Sequence, residues 1–196
     1  MQTLIVRKIT KSFFEAIAMP FVKLKVSPNL LSLIGLLTVV GVVFFLQSGQ
    51  YYLAAAFVFL NGFFDAIDGS VARLRGISSE IGELLDRTID KVSDVAIIGS
   101  IIVLDLVDLR LGLFTLCTIS VATLISANIE AVLKRRVSSA FSLRFLRFIV
   151  MVVFMAANEF TYMFIVLAAI ATYSIIFRLI NAIRGQPRIF GQSFLS

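Results

Sequence analysis

Between residues 29 and 183 the chain is a succession of apolar runs separated by short polar joints. A hydrocarbon core about 30 Å thick is crossed by roughly 20 helical residues, and several runs reach or approach that length. With 59% hydrophobic residues and a mean hydropathy of +1.00, the chain is more apolar than ordinary soluble domains. The expected fold class is an all-α integral membrane protein, one domain over 1–196 without internal repeats. Six transmembrane helices are expected, at about 29–47, 52–74, 80–104, 110–133, 143–157 and 161–183. Asn158 and Glu159 break what would otherwise be one long apolar stretch, so a tight turn is expected there.

An N-terminal amphipathic juxtamembrane helix is expected over 4–22. Ile5, Ile9, Phe13, Ile17 and Phe21 recur every four residues, with Lys8, Lys11, Ser12 and Glu15 on another face. Such a helix lies in the headgroup plane, and Pro20 is expected to kink or end it. A cleaved signal peptide is not expected, because the first long apolar run starts only after Lys25 and charges precede it.

The net charge of +6 has a topological explanation rather than a nucleic-acid one. Arg7, Lys8, Lys11, Lys23 and Lys25 precede the first run, and Arg73 and Arg75 end the second. Lys134, Arg135, Arg136, Arg144 and Arg147 lie between the fourth and fifth, and Arg178, Arg184 and Arg188 close the chain. With six spans all of these fall on one side, which the positive-inside rule makes cytoplasmic. The opposite joints carry only Arg110, beside Asp105 and Asp108. The chain has no histidine, which removes the commonest zinc ligand and proton shuttle. Cys117 is the single cysteine, so there is no disulfide within one chain, and it is expected to act as a small packing residue.

Against this apolar background stands a dense acidic run. Asp65, Asp68, Gly69, Ala72 and Arg73 follow helical steps of three and four, and Gly82, Asp86 and Asp90 follow steps of four. A short turn around residues 76–79 joins the two stripes, so their helices must pack antiparallel, with small residues easing close approach. Each aspartate at membrane depth costs about 2.5–3.5 kcal/mol on an insertion scale, and clustered carboxylates repel one another. Oxygen donors without histidine or cysteine select a hard cation such as Mg²⁺, Mn²⁺ or Ca²⁺. Four carboxylates can hold two such ions and leave positions open for phosphate, the arrangement of a two-metal site for displacement at phosphorus.

The pattern D-x2-D-G-x2-A-R-x8-G-x3-D-x3-D is matched at every position by Asp65, Asp68, Gly69, Ala72, Arg73, Gly82, Asp86 and Asp90. It resembles the signature of the CDP-alcohol phosphotransferases. Ser27-Pro28-Asn29 also resembles the Thr-Pro-Asn segment of many members. The resemblance implies an enzyme of phospholipid biosynthesis that takes a CDP-linked lipid, moves its substituted phosphate to an acceptor alcohol and releases CMP. It implies Asp65, Asp68, Asp86 and Asp90 at two divalent cations, Mg²⁺ or Mn²⁺, with Asp90 also the general base. Asp65, Asp68, Gly69, Arg73 and Gly82 would contact the nucleotide. A homodimer in the cytoplasmic membrane, with its active site facing the cytoplasm, is the family expectation.

The acceptor is expected to be a phosphorylated polyol, such as inositol phosphate or glycerol phosphate, held by Lys134, Arg135, Arg144 and Arg147. Arg144-Phe-Leu-Arg147 resembles the Arg-Pro-Glu-Arg segment of inositol-phosphate-using members but departs at both middle positions. Ser126-Ala127-Asn128-Ile129 departs from their Ser-Tyr-Ile-Lys. Two other functions compete. Asn61-Gly-Phe-Phe-Asp65-Ala-Ile-Asp68 resembles the aspartate motif of Mg-dependent membrane prenyltransferases, although the second spacing differs. Intramembrane carboxylates also mark cation transporters, but a transporter favours polar positions through the full membrane depth, and the first, fifth and sixth runs have almost none in their middles.

Overall fold

A computed structural model describes residues 14–77, 79–133 and 140–184. A helix over 14–23, here α1, is followed by six longer helices. These are α2 (Pro28–Gln47), α3 (Tyr51–Leu74), α4 (Glu80–Val103), α5 (Leu109–Leu133), α6 (Ala140–Ala156) and α7 (Phe160–Arg184). Their ends lie within three residues of the apolar segments marked in the sequence. Among the described residues there is no strand.

This is an all-helical membrane protein in which four helices, α2, α3, α5 and α7, are long and apolar enough to cross a bilayer. The other two fall short for different reasons. The first half of α4 carries the acidic stripe together with Arg87 and Lys91, and α6 has 17 residues, about 26 Å at 1.5 Å per residue.

The helix ends are built from a repeated device. Lys25, Gly49, Gly76, Asp105 and Asn158 all have positive φ, between 54° and 70°. In each case the next N–H reaches back five residues to a helix carbonyl, as in Ile77 to Ala72 and Glu159 to Phe154. These are Schellman closures, which satisfy the last carbonyls and reverse the chain tightly. The expected turn at Asn158 and Glu159 is one of them. Helix starts are capped by side chains: Ser27 accepts from Leu30 N–H, Ser79 from Gly82 N–H, and Asp108 from Arg110 and Leu111 N–H.

The described part of the N-terminal helix runs through Pro20 and continues to residue 23. Proline's fixed φ is itself helical, so the lost N–H bond does not stop the chain here. Ala18 is buried against Leu31, Ile67 and Val71, with Ile17 and Phe21 packed beside them. The expected positions 4–13 lie outside the described residues. Arg75 ties this region down by donating to the Val26 carbonyl at 2.9 Å.

Two apolar layers bracket the bundle's polar middle. A small cluster under α1 contains Leu31, Ile67 and Val71. A larger one contains Val39 and Val42 of α2, Ala54 and Val58 of α3, and Ile97 and Ile101 of α4, and continues through Met155, Met163 and Phe164. The segments between these layers, near Ser32, Asp65 and Asp90, enclose the acidic residues.

Close helix approach depends on Gly41 and Gly62. A Cβ on Gly41 would fall 2.2 Å from the Phe57 ring, and one on Gly62 would fall 2.3 Å from the Phe148 ring of α6. Overpacking of this kind costs about 1–3 kcal/mol. Gly62→Val is therefore expected to lower the thermal unfolding midpoint in detergent, and Phe148→Ala in the same chain to restore part of the loss. A double mutant no more stable than Gly62→Val alone would break the link between these two positions.

Candidate metal centre

Three helices contribute to one cavity. Asn61, Asp65 and Asp68 are spaced by four and three along α3, so they share a face. Asp86, Ile89, Asp90 and Ser93 do the same on α4, and Ser32, Gly35 and Leu36 of α2 close the third side. The α3–α4 turn reverses the chain, but the close packing of these two helices on one another expected from the sequence is not found among the described residues: α2 packs against both and sets the two acidic stripes around one cavity. In the turn Gly76 takes the left-handed conformation at φ 63°, and Ser79 starts α4 as its cap.

One carboxylate oxygen from each of Asp65, Asp68 and Asp86 lies within 4.8 Å of the others. At that separation two full charges repel by about 3 kcal/mol with an effective dielectric near 20. Asp68 is the most enclosed, at 2% exposure. Its Oδ2 accepts a 2.5 Å hydrogen bond from the Ser32 hydroxyl. Its Oδ1 is buried and has no hydrogen-bond partner among the described residues. Asp90 stands one turn beyond Asp86 and lines the same cavity, outside the trio of clustered oxygens. Ser93, also 2% exposed, presents a hydroxyl with no hydrogen-bond partner among the described residues.

These residues fit a hard divalent cation. The donors are carboxylate oxygens, the separations allow a shared ion, and the buried Oδ1 of Asp68 has unused acceptor capacity. A cation between them would turn mutual repulsion into attraction.

The remaining sequence-marked residues divide into several groups. Arg73 is exposed, donates to Ser70 Oγ at 3.0 Å, and lies over Gly69, where a Cβ would meet its guanidinium at 3.2 Å. Glycine at 69 thus leaves room for the arginine one turn on. Gly82 sits in the first turn of α4, its N–H held by Ser79 at 3.0 Å. None of these three lines the cavity. Lys134 and Arg135 lie outside the described residues, as does the Arg144 side chain. Arg147 is half-buried.

Lys91 pairs with Asp94 at 3.5 Å and also feels the positive charges of Arg147 and Arg178. Arg178 is 7% exposed, and its Nη1 donates to the Ala122 carbonyl of α5 at 3.0 Å. α4, α6 and α7 thereby gather cations beside the acidic cavity.

Sequence reasoning missed Ser32 and Ser93. Ser93 extends the Asp86–Asp90 stripe by three residues, a signal that was available. Ser32 lies on another helix, and no local spacing links it to Asp68.

The sequence profile of the CDP-alcohol phosphatidyltransferase family matches residues 25–179. A phosphatidylinositol phosphate synthase of Corynebacterium glutamicum is 40% identical over 96 residues, 48% of this chain and 44% of that protein. An archaetidylinositol phosphate synthase of Pyrococcus horikoshii is 35% identical over 101 residues, 49% of this chain and 51% of that one. The aligned segments thus span about half the length of these curated relatives or less. Among solved structures, the Mycobacterium tuberculosis phosphatidylinositol phosphate synthase with CDP-DAG bound superposes with a TM-score of 0.70. It is 24% identical, and the match covers 86% of this chain and 92% of that one. The same enzyme in complex with manganese and citrate gives 0.69, also at 24% identity, covering 89% and 90%. These two likenesses are of fold.

A cation held by the carboxylate cluster would stabilise the folded state. A ligand bound only by the folded state at a hundred times its Kd adds about 2.7 kcal/mol. Chelation with EDTA is expected to lower the unfolding midpoint in detergent by several degrees, and Mn²⁺ to restore it. In a chain carrying both Asp65→Asn and Asp86→Asn the midpoint should be indifferent to both treatments.

Proposed function

This chain belongs to the CDP-alcohol phosphatidyltransferase family, and on that footing we propose that it transfers the substituted phosphate of a CDP-linked lipid to a small alcohol, releasing CMP. The observation that carries the proposal is the convergence of Asp65, Asp68 and Asp86 within 4.8 Å, with Asp90 on the same cavity. The similar fold of a protein solved with CDP-DAG, and with manganese, supports a CDP-lipid donor and divalent cations.

Asp65, Asp68 and Asp86 would hold two divalent cations, Mg²⁺ or Mn²⁺, with Asp90 close enough to contribute. When bound, these ions supply charge stabilisation for the diphosphate and the departing CMP. Asp90 takes the proton of the acceptor hydroxyl, which must come within about 3 Å of it. The hydroxyl oxygen forms a bond to the β-phosphorus, and the bond from that phosphorus to the bridging oxygen breaks. Its electron pair leaves on CMP. Arg73, exposed and one turn from Gly69, is placed to give charge-assisted hydrogen bonds to a nucleotide phosphate. Gly69 and Gly82 would serve the same nucleotide indirectly, the first by making room for Arg73 and the second by allowing the tight Ser79 cap at the start of α4.

The acceptor is a phosphorylated polyol. The names of the relatives from Corynebacterium glutamicum and Pyrococcus horikoshii support inositol phosphate. So does the cation group of Lys91, Arg147 and Arg178, which Lys134, Arg135 and Arg144 would extend. All six long helices cross the cytoplasmic membrane, the acidic stripe of α4 facing α2 and α3, and the cavity opens to the cytoplasm. This topology rests on the one-sided distribution of lysine and arginine. The working unit is a homodimer.

Asp90→Asn is expected to reduce CMP release by about 10²–10⁴-fold, while CDP-lipid still raises the unfolding midpoint of the variant. Near-normal turnover would remove Asp90 from the role of base. With purified protein and CDP-diacylglycerol, CMP release should be faster with inositol 1-phosphate or glycerol 3-phosphate than with inositol or serine. Turnover with serine alone would overturn the phosphorylated acceptor.

A further inference from the structure

We propose, resting on the reading of the cavity as a cation site, that Ser32 of α2 positions Asp68 and through it sets the affinity for divalent cations. Ser32 stands outside the aspartate motif and on a different helix from it. Its hydroxyl has one proton and two acceptors in reach. The Pro28 carbonyl lies at 3.2 Å and Asp68 Oδ2 at 2.5 Å. Helical serines ordinarily bond back to the carbonyl four residues earlier. Here the shorter contact goes to the carboxylate, the stronger acceptor.

That bond restrains the carboxylate of a side chain that is only 2% exposed, beside a weaker contribution from the Gly69 N–H. It uses one acceptor position on Oδ2 and leaves Oδ1, buried and without a hydrogen-bond partner among the described residues, available to an ion. Without the Ser32 donor, Asp68 could turn about its terminal torsion, a broad well with little intrinsic preference.

Ser32 is itself held in register. The Ser27 cap and Pro28 start α2 one turn earlier. Asn61 of α3 donates to the Gly35 carbonyl at 2.8 Å. A Cβ on Gly35 would fall 3.4 Å from Phe64 Cβ, so the two helices are in contact beside the site. A hydroxyl on a helix so fixed acts as an orienting group behind a metal ligand, and losing such groups typically weakens metal affinity 10–100-fold.

The test is an Mn²⁺ titration of the purified protein, without substrate, in which electron paramagnetic resonance reads free Mn²⁺. Ser32→Ala is expected to raise the Kd about tenfold or more. Ser32→Thr, which keeps the hydroxyl, should bind within about threefold of the parent chain; these ranges follow the same orienting effect. Ser32→Cys, close in volume but a weaker donor, should fall between them and reads the same shift if the alanine variant does not accumulate. Asp68→Asn is the reference for loss of the site. If Ser32→Ala binds Mn²⁺ like the parent chain while Asp68→Asn does not, the positioning role is overturned and the cation site stands. If Asp68→Asn also binds like the parent chain, the cation site itself fails, and the role of Ser32 with it.

Discussion

Repulsion among carboxylates gathered inside an apolar bundle is the load that the rest of this structure is arranged to contain. Asp65, Asp68 and Asp86 approach within 4.8 Å although α3 and α4 make little direct contact, because α2 packs against both helices and closes the third side of the cavity. The left-handed Gly76 reverses the chain, the Ser79 cap restarts it, and Arg75 anchors the end of α3 to the Val26 carbonyl. Apolar clusters flank the polar middle, one around Leu31, Ile67 and Val71, the other around Val58, Ile97 and Ile101. Strong repulsion confined to a few ångströms in this way favours binding of a compact, doubly charged ion.

α4 serves two environments through its own geometry. Asp86, Asp90 and Ser93 lie along the stripe that faces α2 and α3. Lys91, one residue past Asp90, is turned by about 100° and meets the charges of Arg147 on α6 and Arg178 on α7. Asp90 and Lys91 thus point to different neighbours from adjacent positions on one rigid helix, the first to the acidic cavity and the second to cations supplied by α6 and α7. The offset between the carboxylate of Asp90 and the ammonium of Lys91 is then set by helix geometry rather than by a loop. Rigid elements hold such constellations more accurately than loops do.

The amino-acid order by itself determined the helices and the acidic motif. Helix ends were legible because the residues that terminate them, Gly49, Gly76, Asn158 and the caps Ser27 and Ser79, act locally through their own backbone and side-chain preferences. The facing stripes of Asp65–Asp68 and Asp86–Asp90 were legible because helical periodicity and a short joint leave little freedom. Pro20, expected to kink or end the first helix, does not end it: the helix runs three residues further, with Ala18, Ile17 and Phe21 packed against α2 and α3.

Tertiary structure alone decided which groups outside the motif belong to the site. Ser32 precedes Asp68 by 36 residues and meets it only because Asn61, Gly35 and Phe64 lock α2 against α3. Arg178 sits in the last third of the chain and reaches the Ala122 carbonyl, and brings its charge to bear on Lys91, only through the packing of α7 on α5. Tertiary structure also kept Gly69 and Gly82 off the cavity wall, one beneath Arg73 and the other in the Ser79 cap. Contacts between helices depend on crossing angle and register, which arise from the summed packing of many side chains, so no short stretch of sequence encodes them.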